Sequence, residues 1–303
     1  MVQWVLQNGW PAASEEEAAY RRKTLARDGV AVIVIAALCL LFFAAAPSNN
    51  IFKNDRAGTS PEEGVTSLTR PPRSPSSPTE QRISVVLFVL SALVLWSDIG
   101  LTPAPKRSDV VWNTIGVIGH AAYFTVQTLM LQTVYFAVGV VDAFTDSPRL
   151  EGFLCTLALW TATQSVALCV LFLKHNWTEA RWRSEVYKPM EAAYPGWGEL
   201  MLFTHITPAV LGLADLALLR DPVALHHTGP ELMILAIAAF VYGTAYTAWL
   251  VLFERYLSPG TWIYPFAADL RRPRAAAAFV VVQSVFIILL AATLRYLFVS
   301  LRI

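Results

Sequence analysis

The sequence predicts an all-α protein, a polytopic bundle of transmembrane helices, and three observations predict it. The chain of 303 residues is 55% hydrophobic and only 15% charged, richer in apolar side chains and poorer in charge than soluble domains of its size. Its apolar residues fall into long blocks, most of them near the ~20 residues that cross a hydrocarbon core of about 30 Å. None of the blocks alternates as a barrel strand does, and only helices or closed barrels satisfy their backbone groups in lipid.

The first unit spans residues 1–46. Trp4 and Trp10 precede Ser14-Glu15-Glu16-Glu17, a capping-box pattern that opens a short surface helix. The basic flank Arg21-Arg22-Lys23 and Arg27 then leads into an apolar run over 30–46. Its long, acidic leader differs from the short basic region of a secretory signal, so the run reads as an uncleaved membrane anchor. Residues 47–82 carry Pro61, Pro71, Pro72, Pro75 and Pro78 among serines, threonines and charges. That composition buries too little apolar surface to offset chain entropy, which predicts a disordered linker. The third unit, 83–303, contains apolar blocks at 83–100, 121–141, 152–173, 200–219, 231–252 and 274–299. With the anchor they make seven spans.

Several classes are set aside by what is missing. A formal net charge of +1 and the absence of basic runs interleaved with aromatics give no sign of a nucleic-acid partner. Cys39, Cys155 and Cys169 sit inside apolar blocks with no metal-ligand or redox spacing, and read as buried thiols. No metal, nucleotide or α/β-hydrolase motif is present, so no cofactor is expected. The basic residues Lys106, Arg107, Lys174, Arg181, Arg183, Lys188 and Arg255 share one side if all seven spans are real, and the positive-inside rule puts that side in the cytosol. Asn176-Trp177-Thr178 is a glycosylation sequon on the same side, and a glycan there would reverse the orientation.

Candidate chemistry starts from the second block after the linker. Thr125, Thr128 and Gln132 follow an i, i+3, i+7 spacing, which gathers them on one stripe of a helix that must face protein or a cavity. His205 lies inside an apolar block, where an ionisable group is costly unless paired or in a wet cavity. The bland alternatives are a threonine bonded to the carbonyl one turn back and a neutral histidine bonded to a neighbouring helix. Spans alternate in direction, so the helices of Thr125 and His205 run parallel. Counted from the block starts, both residues lie roughly 6 to 8 Å deep. A hydroxyl nucleophile beside a base is thereby possible. Trp262 and Tyr264, in the loop Pro259 to Pro265, open on that same side and fit either an interfacial belt or the lip of an acyl-chain pocket. No acid suits the third place of a triad: Asp215 is ten residues beyond His205, about 15 Å along the helix, and Glu254 fits the rim better.

Tyr123-Phe124-Thr125, the run Leu131 to Phe136, His205 with Leu213-Ala214-Asp215, and Gly260 to Pro265 together resemble the androgen-induced-gene family of multi-pass membrane proteins, which includes the androgen-dependent TFPI-regulating proteins. The resemblance covers roughly 83–299 and implies a six-helix family core, to which the anchor and linker are additions. It also implies a threonine hydrolase acting on fatty acid esters of hydroxy fatty acids, with the required Thr and His falling on Thr125 and His205. Thr128, Gln132, Trp262 and Tyr264 would line the substrate site. Such an enzyme would sit in the endoplasmic reticulum or plasma membrane, with a lipid as substrate and the bilayer as its surroundings. The segment Arg255 to Pro259 and the place of Pro208 depart from the family pattern, which implies a pocket of different shape. The rival from another class is a transporter or receptor whose Thr, Gln and His side chains line a polar pathway.

Overall fold

A computed structural model of the chain describes residues 28–30, 32–33, 76–101, 123–145, 147–193, 195–220, 232–257 and 264–300. Among these residues all regular structure is helical, and six helices are long and apolar enough to cross a membrane. They are α1 (Pro78–Leu101), α2 (Phe124–Thr145), α3 (Pro148–Thr178), α4 (Trp197–Leu218), α5 (Leu232–Leu252) and α6 (Pro273–Ser300). These are the six blocks that follow the linker in the sequence, and they make the chain an integral, multi-pass membrane protein. The expected anchor over 30–46, apart from a few helical residues at its start, and Trp262 lie outside the described residues.

Local chemistry sets the helix starts. At α1 the Ser77 N–H donates to Glu80 Oε2 at 2.6 Å and the Glu80 N–H to Ser77 Oγ at 3.2 Å, a reciprocal capping box. Pro78 then occupies the first helical position, where a missing N–H costs nothing. Residues 78–82, which composition assigns to the linker, are therefore the first turn of α1. Pro148 and Pro273 open α3 and α6 in the same way. α4 begins after Gly196, whose φ of 88° lies in the left-handed region that favours glycine. The Glu191 carboxylate takes the N–H groups of Gly196 and Gly198 at 3.0 and 2.7 Å, which caps this positive helix end with a negative charge.

The interior is built on α2, α3 and α4. Their spans are 56%, 59% and 56% buried, against 33% for α5 and 22% for α6. Helix α1 packs along α2 and α4, and the hairpin of α5 and α6 leans on α3. In lipid the gain from such packing comes from close contact and interhelical hydrogen bonds more than from the hydrophobic effect. Both are present. A Cβ at Gly212 of α4 would stand 3.0 Å from the Ala162 Cα of α3, so these two backbones meet only because residue 212 has no side chain. Gln132 ties three helices, its Nε2 donating to the Pro208 carbonyl at 2.8 Å and to Ser165 Oγ at 3.2 Å. Ser91 and Thr133 share a 2.9 Å hydroxyl contact between α1 and α2. At the far end of α4, Arg220 Nη2 and Asp215 Oδ1 form a buried ion pair at 2.8 Å, and Tyr135 Oη donates to Asp215 Oδ2 at 2.5 Å.

Candidate active site

Thr125 belongs to the first turn of α2, and His205 lies eight residues into α4, about 12 Å along its axis. The helix starts are staggered, with α4 extending beyond the described start of α2. Across that stagger Thr125 Oγ1 and His205 Nε2 stand 3.2 Å apart, within hydrogen-bond reach.

His205 is buried and held from three sides. Its Nδ1 lies 2.7 Å from the Met201 carbonyl oxygen and 3.1 Å from Thr204 Oγ1. Its ring stacks on Phe172 of α3, with centroids 4.0 Å apart and planes 24° from parallel. A carbonyl can only accept, so Nδ1 carries the proton of the neutral ring and Nε2 presents its lone pair to Thr125. Of the two acids weighed for this position, Asp215 is engaged by Arg220 and Tyr135, and Glu254 by Arg271.

A second group of side chains closes on Thr125 from α5 and the stretch before α6. The backbone N–H of Phe124, at the head of α2, donates to both Tyr246 Oη at 3.0 Å and Tyr264 Oη at 3.1 Å. Tyr264 also hydrogen-bonds Tyr246 and the Thr125 side chain. Its phenol is pushed up to about 12, chiefly by burial; hydrogen bonds with Tyr246, the Phe124 N–H and Thr125 pull it down, while the nearby Asp98 carboxylate raises it. Phe124, Tyr242, Tyr246, Leu168 and Leu250 wall this region, and Tyr242 Oη reaches Gln127 Oε1 at 2.7 Å.

The residues singled out by sequence therefore divide. Thr125, His205 and Tyr264 come together, whereas Gln132 lies two turns deeper and ties helices. Thr128 is buried between them on the same stripe. Sequence reasoning misses Tyr246 and Phe172, which look like ordinary span residues, Asp98, an acid near the end of its apolar block, and the Met201 carbonyl and Phe124 N–H, which no side-chain motif reveals. Among the described residues no cluster of three or more His, Cys, Asp or Glu side chains is placed to hold a metal ion.

Comparison with known proteins gives one result on each count. No curated protein and no solved structure matches the chain. The family model described as FAR-17a/AIG1-like protein matches residues 84–297, a segment that begins within α1, ends within α6 and holds every residue of the site above. The chain belongs to the FAR-17a/AIG1-like protein family.

Proposed function

We propose that the protein is an intramembrane hydrolase of fatty-acyl esters, of the class of fatty acid esters of hydroxy fatty acids. The observation that carries this reading is the 3.2 Å contact of Thr125 Oγ1 with a His205 Nε2 whose partner nitrogen is tied to a backbone carbonyl. Nucleophile, base and orienting acceptor stand in a row, the arrangement that acyl transfer requires. Thr125 attacks the ester carbonyl while its proton passes to His205 Nε2, and the carbonyl electron pair moves onto oxygen. The intermediate collapses by breaking the bond to the alkoxy oxygen, which takes the proton from His205 as it leaves. Water then repeats the sequence on the acyl-threonine and releases the fatty acid. General-base assistance of this kind contributes roughly 10²–10⁴ in rate. The aromatic wall of Phe124, Tyr242 and Tyr246 suits an acyl chain entering from lipid.

The test uses the full chain in nanodiscs with a long-chain fatty-acyl ester. Thr125→Ala and His205→Ala should abolish turnover while melting temperature holds, and labelling by a fluorophosphonate probe should disappear with Thr125→Ala. Unchanged turnover and labelling in both variants would leave the non-catalytic membrane protein as the better account.

A further inference from the structure

Resting on that reading of Thr125 and His205, we infer that the Tyr264 hydroxyl is the donor that stabilises the oxyanion formed when Thr125 attacks. The role needs a hydrogen-bond donor beside the nucleophile, on a group that stays neutral and is fixed before the reaction begins. Thr125 Oγ1 gives its proton toward His205 Nε2, so in its contact with Tyr264 it is the acceptor and the phenol is the donor. Tyr264 Oη in turn accepts the Phe124 N–H at 3.1 Å and, having spent its own proton on Thr125, accepts from Tyr246.

The result is a hydrogen-bond chain with one direction. It runs from Tyr246 to Tyr264, from Tyr264 to Thr125, from Thr125 to His205 and from His205 to the Met201 carbonyl. A hydroxyl that accepts two hydrogen bonds donates more strongly, because each link polarises the next. When Thr125 Oγ1 bonds to the acyl carbon it loses its capacity as acceptor, and negative charge appears on the adjacent carbonyl oxygen. The Tyr264 O–H then transfers its hydrogen bond to that oxygen, with no proton transfer. Burial holds the phenol protonated far above neutrality, since its pKa stands at about 12.

Two other donors among the described residues are committed elsewhere. The Gln132 amide nitrogen is divided between the Pro208 carbonyl and Ser165, and the Phe124 N–H between the two phenols. The head of α2 adds a positive field in the same place. Tyr264 thus passes from a residue of the pocket lip to one that touches the reacting atoms.

Steady-state hydrolysis of a p-nitrophenyl ester of a long-chain fatty acid, by the full chain in nanodiscs, tests the assignment. Tyr264→Phe keeps the ring and removes the donor, so kcat should fall by roughly 10²–10³ with KM nearly constant. Tyr246→Phe should lower kcat by about tenfold, again with KM constant, through the weakened donor. Thr125→Ala run in parallel separates the two ideas. If it abolishes turnover while Tyr264→Phe leaves kcat within about threefold, or changes KM alone, the oxyanion assignment is wrong and the nucleophile stands. If Thr125→Ala is silent, both are wrong. Should Tyr264→Phe melt at the assay temperature, Tyr246→Phe decides: a fall in kcat at constant KM supports the chain, and an unchanged kcat overturns it.

Discussion

His205 Nδ1 lies 2.7 Å from the carbonyl oxygen of Met201, one turn back on its own helix. In a Ser-His-Asp triad a carboxylate fixes the ring and also offsets the charge of the imidazolium; a carbonyl fixes the ring and offers only a dipole. Removing the triad acid costs ~10⁴ in kcat. Among the described residues no comparable side chain is shown on His205, so Asp142→Asn, at a buried position 17 residues beyond Thr125 on α2, and Glu254→Gln should each keep kcat within about fivefold of the parent. A loss of several orders of magnitude in either variant, measured on folded protein, would reveal an acid that the ground-state geometry does not use.

Phe172 lies flat against His205 and belongs to α3, so it sets the ring plane from outside α4. Phe172→Ala frees the imidazole to tilt. Misplacement of a catalytic group by about 1 Å costs up to ~10² in rate. We expect kcat to fall by about tenfold or more with KM little changed, and Phe172→Leu to recover part of it. Equal losses of kcat and thermal stability in both variants would mean that the ring only packs.

Asp215 and Arg220 test the far end of the bundle. Breaking a buried ion pair from one side costs about 3–5 kcal/mol, because the remaining charge is left without its partner, whereas replacing both members is often neutral. Arg220→Met should lower the melting temperature markedly, since it strands the Asp215 carboxylate against Tyr135. The double change Asp215→Leu with Arg220→Met should recover most of the loss. A double variant as unstable as the single one would show that the pair does more than neutralise itself.

Asn176 sits in the last turn of α3, where its Oδ1 accepts the Trp182 indole N–H at 3.0 Å and its carbonyl accepts from Arg183 Nη1 at 3.0 Å. A sequon folded into a helix and tied to the following segment is a poor acceptor for a glycan, whichever side it faces. Expressed in a eukaryotic cell, the protein should show no mobility shift on endoglycosidase treatment, and Asn176→Gln should migrate as the parent does.

The six helices from α1 to α6 are legible because blocks of apolar residues have few alternatives to a helix in lipid. Their starts are less so. Pro78 reads by composition as linker, yet its position after Ser77 and two residues before Glu80 is a helix-opening pattern that outweighs the composition. The neighbourhood of Thr125 and His205 follows from span alternation, although the helix start does not follow from the apolar block: α4 starts at Trp197, three residues before its block. Asp215 and Arg220 form their pair five residues apart across the end of a helix, a spacing that sequence reading passes over because it matches no regular helical turn. The Met201 carbonyl and the Phe124 N–H belong to the backbone, which every residue possesses, so no choice of residue marks them. Tyr246 and Phe172 are aromatic residues in apolar spans, and only packing tells such a ring from any other.

Thr125, His205 and Phe172 ride on helices locked in the interior of the bundle, whereas Tyr246 and Tyr264 are carried by α5 and the approach to α6, the helices with the least protein around them. The two halves of the site therefore answer to different surroundings. One half rides on the most enclosed helices of the bundle; the other rides on helices that turn more of their surface outward. Lateral pressure and bilayer thickness should accordingly act on the distance between phenol and threonine.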